Sequence, residues 1–353
     1  MRNNLFEFAT SELSQDAFIC WCINWVKEAG SKLFDLGVDT LKMLGYSIKP
    51  GEIVKIKRQD NKIDILIELP ESRRKIIVED KTYTSERDNQ IERYKESLVS
   101  SEWDVTTVFF KTGHFYDCDR LIQKKKKADV VIDGKMFLNL LKKYYGRSDI
   151  IDDYVVHLES LLNWYATHGI YTMKENDGRG SWYVSEYQIA QYKLIKKIFS
   201  GEKYDTWTTE WDRYYTYSGS SYGRPWTEMI VLPYREYSDS FDKYTVFWRI
   251  DTDRNGPYMS LRLYENMDKA DSKTVERHER MYITLKNKIK DIIEKNDYSF
   301  SWKDVQSGNK GRSKESSMIS FCLVKVLENW NNLGSRFIHE VRDLTEKFIE
   351  ANG

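Results

Sequence analysis

The stretch KIDILIEL at residues 62–69, followed after a short polar turn by KIIVEDK at residues 75–81, predicts two adjacent β-strands. Both segments are rich in Ile, Leu and Val, as buried strands are. Each also carries ionisable residues, among them Asp64 in the first and Glu79 and Lys81 in the second. Charge in an apolar strand is costly unless it is paired or functional. These three residues are therefore the leading candidates for a site.

The expected geometry brings these side chains together. Alternate residues of a strand share a face, so Glu79 and Lys81 should project together, about 7 Å apart along the strand, with Asp80 on the opposite face. A hairpin would place Asp64 beside Glu79. Mg²⁺ prefers carboxylate and water oxygens and is usually held by one or two protein carboxylates. Asp64 and Glu79 fit that role, and Lys81 would orient or help to deprotonate an attacking water.

The alternative is an ordinary ion pair between Glu79 and Lys81 at the end of an edge strand, with Asp64 on the surface near a turn. That alternative accounts for most isolated Glu-x-Lys sequences. Here, however, both acids interrupt apolar strands at a spacing that a hairpin would align. In this respect the chain resembles the PD-(D/E)XK nuclease superfamily, whose restriction-endonuclease-like fold carries an acid on one strand and Glu/Asp-x-Lys on the next. Ile63 stands where many members have proline.

Two further segments extend the resemblance. QIERY at residues 90–94 is similar to the QxxxY element of the RecB-like branch, and Gln90 and Tyr94 are one helical turn apart. The resemblance implies that Gln90 borders the metal and the scissile phosphate and that Tyr94 has a weaker role at the nucleic acid; alternatively, Tyr94 packs on the sheet. Glu12 matches an acid that can approach the metal in standalone bacterial members. Alternatively, Glu12 is an acid near the N-terminus of a helix, where the helix dipole favours negative charge. The same explanation is the better one for Asp16, as an acid in the first turn.

The overall charge is balanced, with 55 lysines and arginines against 55 aspartates and glutamates. No global positive field therefore indicates a polyanionic partner, and contacts with nucleic acid would depend on local clusters. One such cluster consists of Lys124, Lys125, Lys126 and Lys127. It could contact a phosphate backbone, or it could be a solvated helix end.

The order of predicted elements indicates an α/β fold with a mixed sheet flanked by helices. We expect helices at residues 14–29, with Ser14 as N-cap, 32–44, 89–100 and 135–145, and strands at residues 52–58, 62–69, 75–81, 105–111 and 128–132. We assign residues 1–146 to a nuclease-like catalytic core, with a boundary near Gly146. Residues 147–353 form an α+β region that would serve substrate binding, sensing or dimerisation.

The second region is distinguished by its aromatic residues. Residues 204–264 predict an antiparallel sheet, whereas residues 152–167, 185–199, 275–295 and 323–351 predict helices and residues 306–317 a loop. The window at 204–226 contains Trp207, Trp211, Tyr214, Tyr215, Tyr217, Tyr222 and Trp226, with Arg213 and Arg224. These side chains could stack on bases or a nucleotide, pack in the core, or form a dimer surface.

The remaining patterns exclude several classes of protein. The four cysteines are scattered and form no CxxC pair, which favours free thiols over a zinc site or disulfide framework. The N-terminal residues contain no apolar signal segment, and no window approaches the ~18 apolar residues of a membrane span. We therefore expect a cytoplasmic protein with no membrane partner.

The resemblance implies a Mg²⁺-dependent nuclease acting on DNA, with Mn²⁺ able to substitute, in bacterial phage defence or DNA maintenance. Two alternatives remain open: an RNA-cleaving enzyme with the same site, and a catalytically silent module of the same fold that binds nucleic acid. Many nucleases of this fold pair to cut two strands, so a homodimer is also considered.

Overall fold

The computed structural model describes residues 3–9, 11–85, 89–98, 102–174, 184–221, 224–237, 240–253, 256–266, 270–300 and 315–352. The chain divides into two compact units, Met1–Thr167 and His168–Gly353. The division lies later than the boundary expected near Gly146, because the helix Asp149–Thr167 packs against the helix Gly134–Lys142 and so belongs to the first unit.

The first unit is built around a five-stranded mixed sheet. Its strands, in spatial order, are β1 (Lys55–Asp60), β2 (Ile63–Leu69), β3 (Arg74–Lys81), β4 (Asp104–Lys111) and β5 (Val130–Asp133). β1, β2 and β3 form an antiparallel meander, whereas β4 and β5 are added in parallel. The predicted α/β class and mixed sheet are confirmed, with small shifts in the strand bounds.

Helices cover both faces of this sheet. They are α1 (Glu12–Asn24), α2 (Phe34–Met43), α3 (Gln90–Leu98), α4 (Asp117–Lys124), α5 (Gly134–Lys142) and α6 (Asp149–Thr167). On one face, Phe137 of α5 packs against Phe18 of α1 and Phe110 of β4. On the other, Ile91 of α3 packs with Phe109 of β4. Phe109 and Phe110 are neighbours that point to opposite faces, which explains why β4 is apolar without alternation.

Local details differ from the sequence prediction. The N-cap of α1 is Ser11 rather than Ser14: its Oγ accepts a hydrogen bond of 3.3 Å from the backbone N of Ser14. Glu12 is consequently the first residue of the helix. The helix also ends earlier than predicted, and Trp25–Lys27 form a 3-10 turn. Helix α4 was not predicted, because a helix this short offers little periodic pattern.

The second unit contains an antiparallel five-stranded sheet, as predicted for its aromatic region. In chain order its strands are β6 (Thr216–Ser221), β7 (Arg224–Tyr237), β8 (Ser240–Asp253), β9 (Gly256–Glu265) and β10 (Glu315–Cys322). The spatial order is β10-β9-β8-β7-β6, so consecutive strands are neighbours throughout. β10 corrects the predicted loop at residues 306–317, whose first nine positions lie outside the described residues.

The α-helices among the described residues of this unit are α7 (Val184–Ile198), α8 (Ser272–Lys295), α9 (Val324–Glu328) and α10 (Trp330–Glu350). The predicted helix at 323–351 is thus divided in two. Leu194 of α7, Leu285 of α8 and Leu344 of α10 share one apolar core with Trp248 and Leu261 of the sheet. Across the residues that the structure describes, no helix combines the length and apolar character needed to cross a membrane.

The aromatic window divides into core and surface. Trp207, Tyr214 and Tyr215 are buried, which matches the packing alternative for these three. Trp211 and Tyr217 are exposed. Trp226 is half-buried, and Tyr222 lies outside the described residues. Any binding role for the window is therefore limited to its exposed members.

Candidate functional site

Asp64, Glu79 and Lys81 lie together at one end of the first sheet. β2 pairs with β3 so that Ile65 is opposite Val78, and continuing this register places Asp64 opposite Glu79 on the same face. Nζ of Lys81 lies 2.6 Å from Oε1 of Glu79 and 3.3 Å from Oδ2 of Asp64. The structure thus brings two carboxylates from adjacent strands to one ammonium group.

This cluster is largely removed from water. Glu79 is 1% exposed and Lys81 is 9% exposed. The backbone N of Asp80 donates a hydrogen bond of 2.9 Å to Oδ2 of Asp64, and Nζ of Lys81 donates one of 2.9 Å to the carbonyl oxygen of Asp80. Burying an ion costs several kcal/mol, which a neighbouring opposite charge only partly offsets. Stability alone is therefore a poor explanation for charges at this position.

The protonation state of Lys81 follows from its neighbours. Burial by itself would lower the pKa of the lysine, but the negative charges of Glu79, Asp64 and Glu12 outweigh that effect and raise the pKa above its ordinary value. Lys81 is therefore a fixed cation at neutral pH. In this arrangement its ammonium group can donate hydrogen bonds but cannot accept a proton.

Glu12 reaches the same end of the sheet from α1. Its Oε1 accepts hydrogen bonds from the backbone N of Thr82 at 3.1 Å and from Oγ1 of Thr84 at 3.2 Å. Thr82 is the first residue after β3 and Thr84 lies two residues further on, so Glu12 connects the start of α1 to the chain that leaves that strand. Its charge contributes to the raised pKa of Lys81. Glu12 is thus a neighbour of the cluster, with its carboxylate engaged by the chain beyond β3.

A second polar cluster lies under α1, on the opposite face of β3. Nε2 of Gln15 donates to Oδ1 of buried Asp80 at 2.5 Å, and Oε1 of Gln15 accepts from Oγ1 of Thr112 at 2.6 Å. Gln59 joins the two faces, because its Nε2 lies 3.0 Å from Oδ2 of Asp16 and 3.2 Å from Oδ1 of Asp64. Asp16 is consequently part of this second cluster, a role that the helix-dipole explanation did not anticipate.

The carboxyl groups of Asp16 and Asp80 are joined by a hydrogen bond. Burial, followed by the nearby charge of Asp16, raises the pKa of Asp80 well above its ordinary value. Burial also raises the pKa of Asp16, although hydrogen bonds from Gln59 and Asp80 oppose the change. A shared proton is the natural state of two such groups in contact. The sequence signal was available, since Gln15 and Asp16 directly precede the apolar run at residues 17–23 of the same helix.

Gln90 and Tyr94 lie on α3, next to the turn between β1 and β2. The hydroxyl of Tyr94 donates a hydrogen bond of 2.8 Å to the carbonyl oxygen of Lys62 and accepts one of 3.3 Å from Nε2 of Gln90. The ring packs beside the apolar cluster that includes Ile63 and Leu66. Tyr94 therefore attaches α3 to the sheet, which matches the packing alternative for this residue. Gln90 is positioned through that hydroxyl.

The lysine run follows the course of α4. Lys124 is the last residue of the helix, and Lys125, Lys126 and Lys127 continue into the turn beyond it. Lys124, Lys125 and Lys126 are exposed. Nζ of Lys127 lies 3.1 Å from Oδ1 of Asn89, immediately before α3. The run is thus a solvated helix end that also borders the start of the helix carrying Gln90.

A fully buried ion pair lies beside the cluster and was missed by sequence reasoning. Lys111 pairs with Lys81 in the parallel register of β3 and β4, and its Nζ lies 2.6 Å from Oδ2 of Asp119 on α4. Both side chains are 0% exposed. A lysine directly after Val-Phe-Phe was the available signal. Its partner could not be identified without the position of α4.

The carboxylates of Asp64 and Glu79 suit a divalent metal ion. Two carboxylates from adjacent strands are the number and kind of protein ligands that Mg²⁺ usually takes, with water completing its coordination. Lys81 already neutralises part of their charge. Within the described ranges, no group of three or more His, Cys, Asp or Glu side chains is arranged to hold a metal ion. Asp64 and Glu79 therefore fit as a two-carboxylate site, and Glu12 approaches the same end of the sheet from α1.

Comparisons of the chain with protein-family profiles, curated proteins and solved structures found no match. No relative supplies an activity for this chain. The chemistry of Asp64, Glu79, Lys81 and their neighbours is therefore the basis for a function.

Proposed function

We propose that the first unit is a Mg²⁺-dependent nuclease that hydrolyses phosphodiester bonds of DNA, with Asp64, Glu79 and Lys81 at its centre. The observation that carries the proposal is the contact of Lys81 with carboxylates from two adjacent strands at one end of a sheet. The arrangement of Asp64 on one strand and Glu79 and Lys81 on the next is the one implied by the resemblance to the PD-(D/E)XK superfamily. It supports a restriction-endonuclease-like fold for this unit.

Asp64 and Glu79 would hold the metal ion. When bound there, Mg²⁺ supplies the positive charge that polarises a phosphodiester and lowers the pKa of a coordinated water. Mn²⁺ has the same preference for oxygen ligands and is expected to substitute. Glu12 adds negative charge near the site. Its Oε1 accepts the hydrogen bonds from Thr82 and Thr84, so Oε2 would be the oxygen that serves as a further metal ligand.

Lys81 would hold the attacking water. Although burial opposes it, the carboxylates of Glu79 and Asp64 raise the pKa of Lys81 when no metal ion is bound, so its ammonium group can donate a hydrogen bond to the water oxygen. A metal ion on the same two carboxylates would offset this effect, so the orienting and general-base roles are both retained for Lys81. Positioning a nucleophile in this way contributes to rate by reducing the orientational freedom that must be lost in the transition state.

The substrate contacts proposed from the sequence lie on elements next to this end of the sheet. Gln90 is held by Tyr94 and would border the scissile phosphate, while the exposed ammonium groups of Lys124, Lys125 and Lys126, with Lys127 beside α3, would contact the backbone of the nucleic acid. The hydroxyl of Tyr94 is engaged with Lys62, so Tyr94 would act by positioning Gln90.

The proposal is tested by cleavage of plasmid DNA with the purified full chain in Mg²⁺. Glu79→Gln, Asp64→Asn and Lys81→Ala are each expected to reduce the rate about 100-fold or more. Glu68→Gln is a matched control, because Glu68 lies on β2 and pairs with Lys57 at the surface. Circular dichroism would verify that the variants fold. Cleavage by the three site variants at the wild-type rate would refute the site.

The same experiment separates the alternatives. Cleavage of RNA but not DNA would replace the substrate and retain the site. Affinity for nucleic acid without cleavage, together with no binding of Mn²⁺ by calorimetry, would favour a silent binding module. A role in phage defence or DNA maintenance, and assembly into a homodimer, are proposals that depend on DNA cleavage.

A further inference from the structure

The second unit contains a cleft lined by arginines, separate from the residues proposed for catalysis. Its volume is about 410 Å³, and its lining includes Arg224, Arg249, Arg262, Asp251 and Tyr258. Small-ligand sites commonly have volumes of about 300–1,000 Å³. The cleft is therefore large enough for a small organic ligand.

The cleft lies on the face of the second sheet opposite the core that the described helices cover. Trp248 of β8 and Leu261 of β9 pack into the helix-covered core. Arg249 and Arg262 are the next residues of the same two strands, so they point to the opposite face. Arg224 begins β7, two strands away from β9. Arginines from three successive strands thus meet on one surface.

Shared carboxylates fix the orientation of two of these arginines. Both Oδ atoms of Asp251 lie 3.0 Å from Nε of Arg249, and Oδ2 also accepts from Nη2 of Arg262. Oε2 of Glu315 accepts from Nη1 of Arg249 at 3.2 Å and from Nη1 of Arg262 at 3.0 Å. Within the described residues, Nη2 of Arg249 donates no hydrogen bond. The network therefore holds the guanidinium groups in place.

Aromatic stacking restrains Arg249 from another side. Its Cζ lies 4.7 Å from the ring centroid of Trp226, and that ring is stacked on Tyr217 at 5.8 Å. Gly219 pairs with Trp226 across β6 and β7, and a Cβ there would lie 2.4 Å from the indole. The indole therefore lies flat over a strand position that has no side chain. A stacked, planar guanidinium is well prepared to bind an anion.

Arginines outnumber acids three to one among the residues that line the cleft, and the acid is Asp251. Glu315 lies outside this lining and adds a carboxylate that Arg249 and Arg262 share. Arg224 is exposed and forms no ion pair within the described part of the chain. Glu228 contacts Arg249 from the adjacent strand, but burial, reinforced by the charge of Glu315, raises the pKa of Glu228 to about 7 despite the opposing effect of Arg249. Its negative charge is therefore incomplete near neutral pH.

We propose that this cleft binds a nucleoside phosphate, with the phosphate held by Arg224, Arg249 and Arg262 and the base against Tyr258. Arginine is the preferred partner of phosphate because its planar donors match the phosphate oxygens in pairs. An aromatic side chain in the same lining accounts for recognition of a flat ring. The ligand is either a free mononucleotide or the 5′-phosphorylated end of a nucleic acid strand, since both present the same group.

The test is calorimetry on the full chain in EDTA, so that the result does not depend on catalysis by the first unit. The probes are adenosine 5′-monophosphate, adenosine and inorganic phosphate. The monophosphate is expected to bind at least about tenfold more tightly than either fragment, because only the intact ligand uses both the arginines and the ring. Adenosine or inorganic phosphate binding as tightly as the monophosphate would overturn the proposal.

A pair of short DNA oligonucleotides, with and without a 5′-phosphate, identifies the source of the ligand. Preferential binding of the monophosphate supports a free nucleotide, whereas preferential binding of the phosphorylated oligonucleotide supports a strand end. Equal affinity for the two oligonucleotides together with no binding of the monophosphate would overturn the proposal, because internal phosphates would then explain the contact.

Two variants connect binding to the cleft. Arg224→Gln and Arg262→Gln should each weaken binding of the preferred phosphorylated probe at least about tenfold. Arg213→Gln removes an arginine of the same unit that does not line the cleft, and it should leave the affinity unchanged. Arg224 is exposed and outside the carboxylate network, so its variant remains informative if Arg262→Gln fails to fold. Unchanged affinity in Arg224→Gln would refute the assignment.

Discussion

Nζ of Lys81 lies 2.6 Å from Oε1 of Glu79, two residues earlier on the same strand. Backbone positions two residues apart in a strand are separated by about 7 Å, so the two side chains close that distance above the sheet. The ammonium group thereby also comes within 3.3 Å of Asp64 on the neighbouring strand. A cation in this position holds together a strand end that would otherwise carry like charges.

Removal of this cation should destabilise the first unit. Lys81→Met is expected to lower the free energy of unfolding by roughly 3–5 kcal/mol, because it leaves the buried carboxylate of Glu79 without a counter-charge. Adding Glu79→Gln should recover most of the loss. Urea denaturation in EDTA measures both effects. Lys57→Met is the control, since Lys57 is exposed and its variant should change stability by less than about 1 kcal/mol; an equal loss in both single variants would contradict the prediction.

The buried pair of Lys111 and Asp119 should show the same asymmetry. Lys111→Met is expected to cost roughly 3–5 kcal/mol, whereas Lys111→Met combined with Asp119→Asn should restore most of the stability. The asparagine can still accept the hydrogen bond that Asp119 takes from the backbone N of Tyr116. Lys95→Met removes a more exposed pair with Asp129 and serves as the reference in denaturation experiments. Additive losses in the double variant would disagree with this account.

Stability should depend on pH through Glu228. The pKa of Glu228 in the folded protein, about 7, is above its ordinary value of 4.5. Its contribution to the free energy of unfolding is therefore fully present below about pH 4.5 and is lost as the pH rises through about 7. Relative to Glu228→Gln, the wild type should lose at most about 3 kcal/mol across that range. Water at the 19% exposed side chain screens the charge and reduces the effect. Thermal denaturation at several pH values tests this, and parallel profiles would count against it.

The hydroxyl of Tyr94 provides a test of structural against functional roles. Tyr94→Phe removes the hydrogen bonds to Lys62 and Gln90 but retains the ring, so the free energy of unfolding should fall by about 0.5–1.5 kcal/mol. Denaturation and DNA cleavage would be measured on the same preparation. Slower cleavage with unchanged stability would instead indicate that the hydroxyl contacts the substrate.

Local patterns predicted the strands and the meeting of Asp64 with Glu79. Both depend on near neighbours: an apolar run defines each strand, and a period of two decides which side chains share a face. The N-cap at Ser11 was missed because Ser11 and Ser14 are both favourable N-cap residues. Helix α4 was missed because a helix of this length offers little periodic pattern. Such differences shift the bounds of elements without changing the sheet.

The arginine cleft could not be predicted in the same way. Arg249 and Asp251 alternate with apolar residues, which is also the pattern of an ordinary solvated strand face. Glu315 follows Arg262 by more than fifty positions and belongs to a segment expected to be a loop. The side chains meet because β10 pairs with β9, and that pairing is a non-local choice made by the whole core.

The ion pair between Lys111 and Asp119 also favours the correct register of β4 on β3. If β4 slid by one residue along β3, Lys111 would turn to the face occupied by Phe137, away from Asp119. Both charges would then be stranded in the interior without partners, which is far more unfavourable than the correct pairing is favourable. The pair therefore discriminates against a misaligned sheet. Among the described strands, β5 pairs with β4 alone. The salt bridge therefore favours the correct alignment of both β4 and β5.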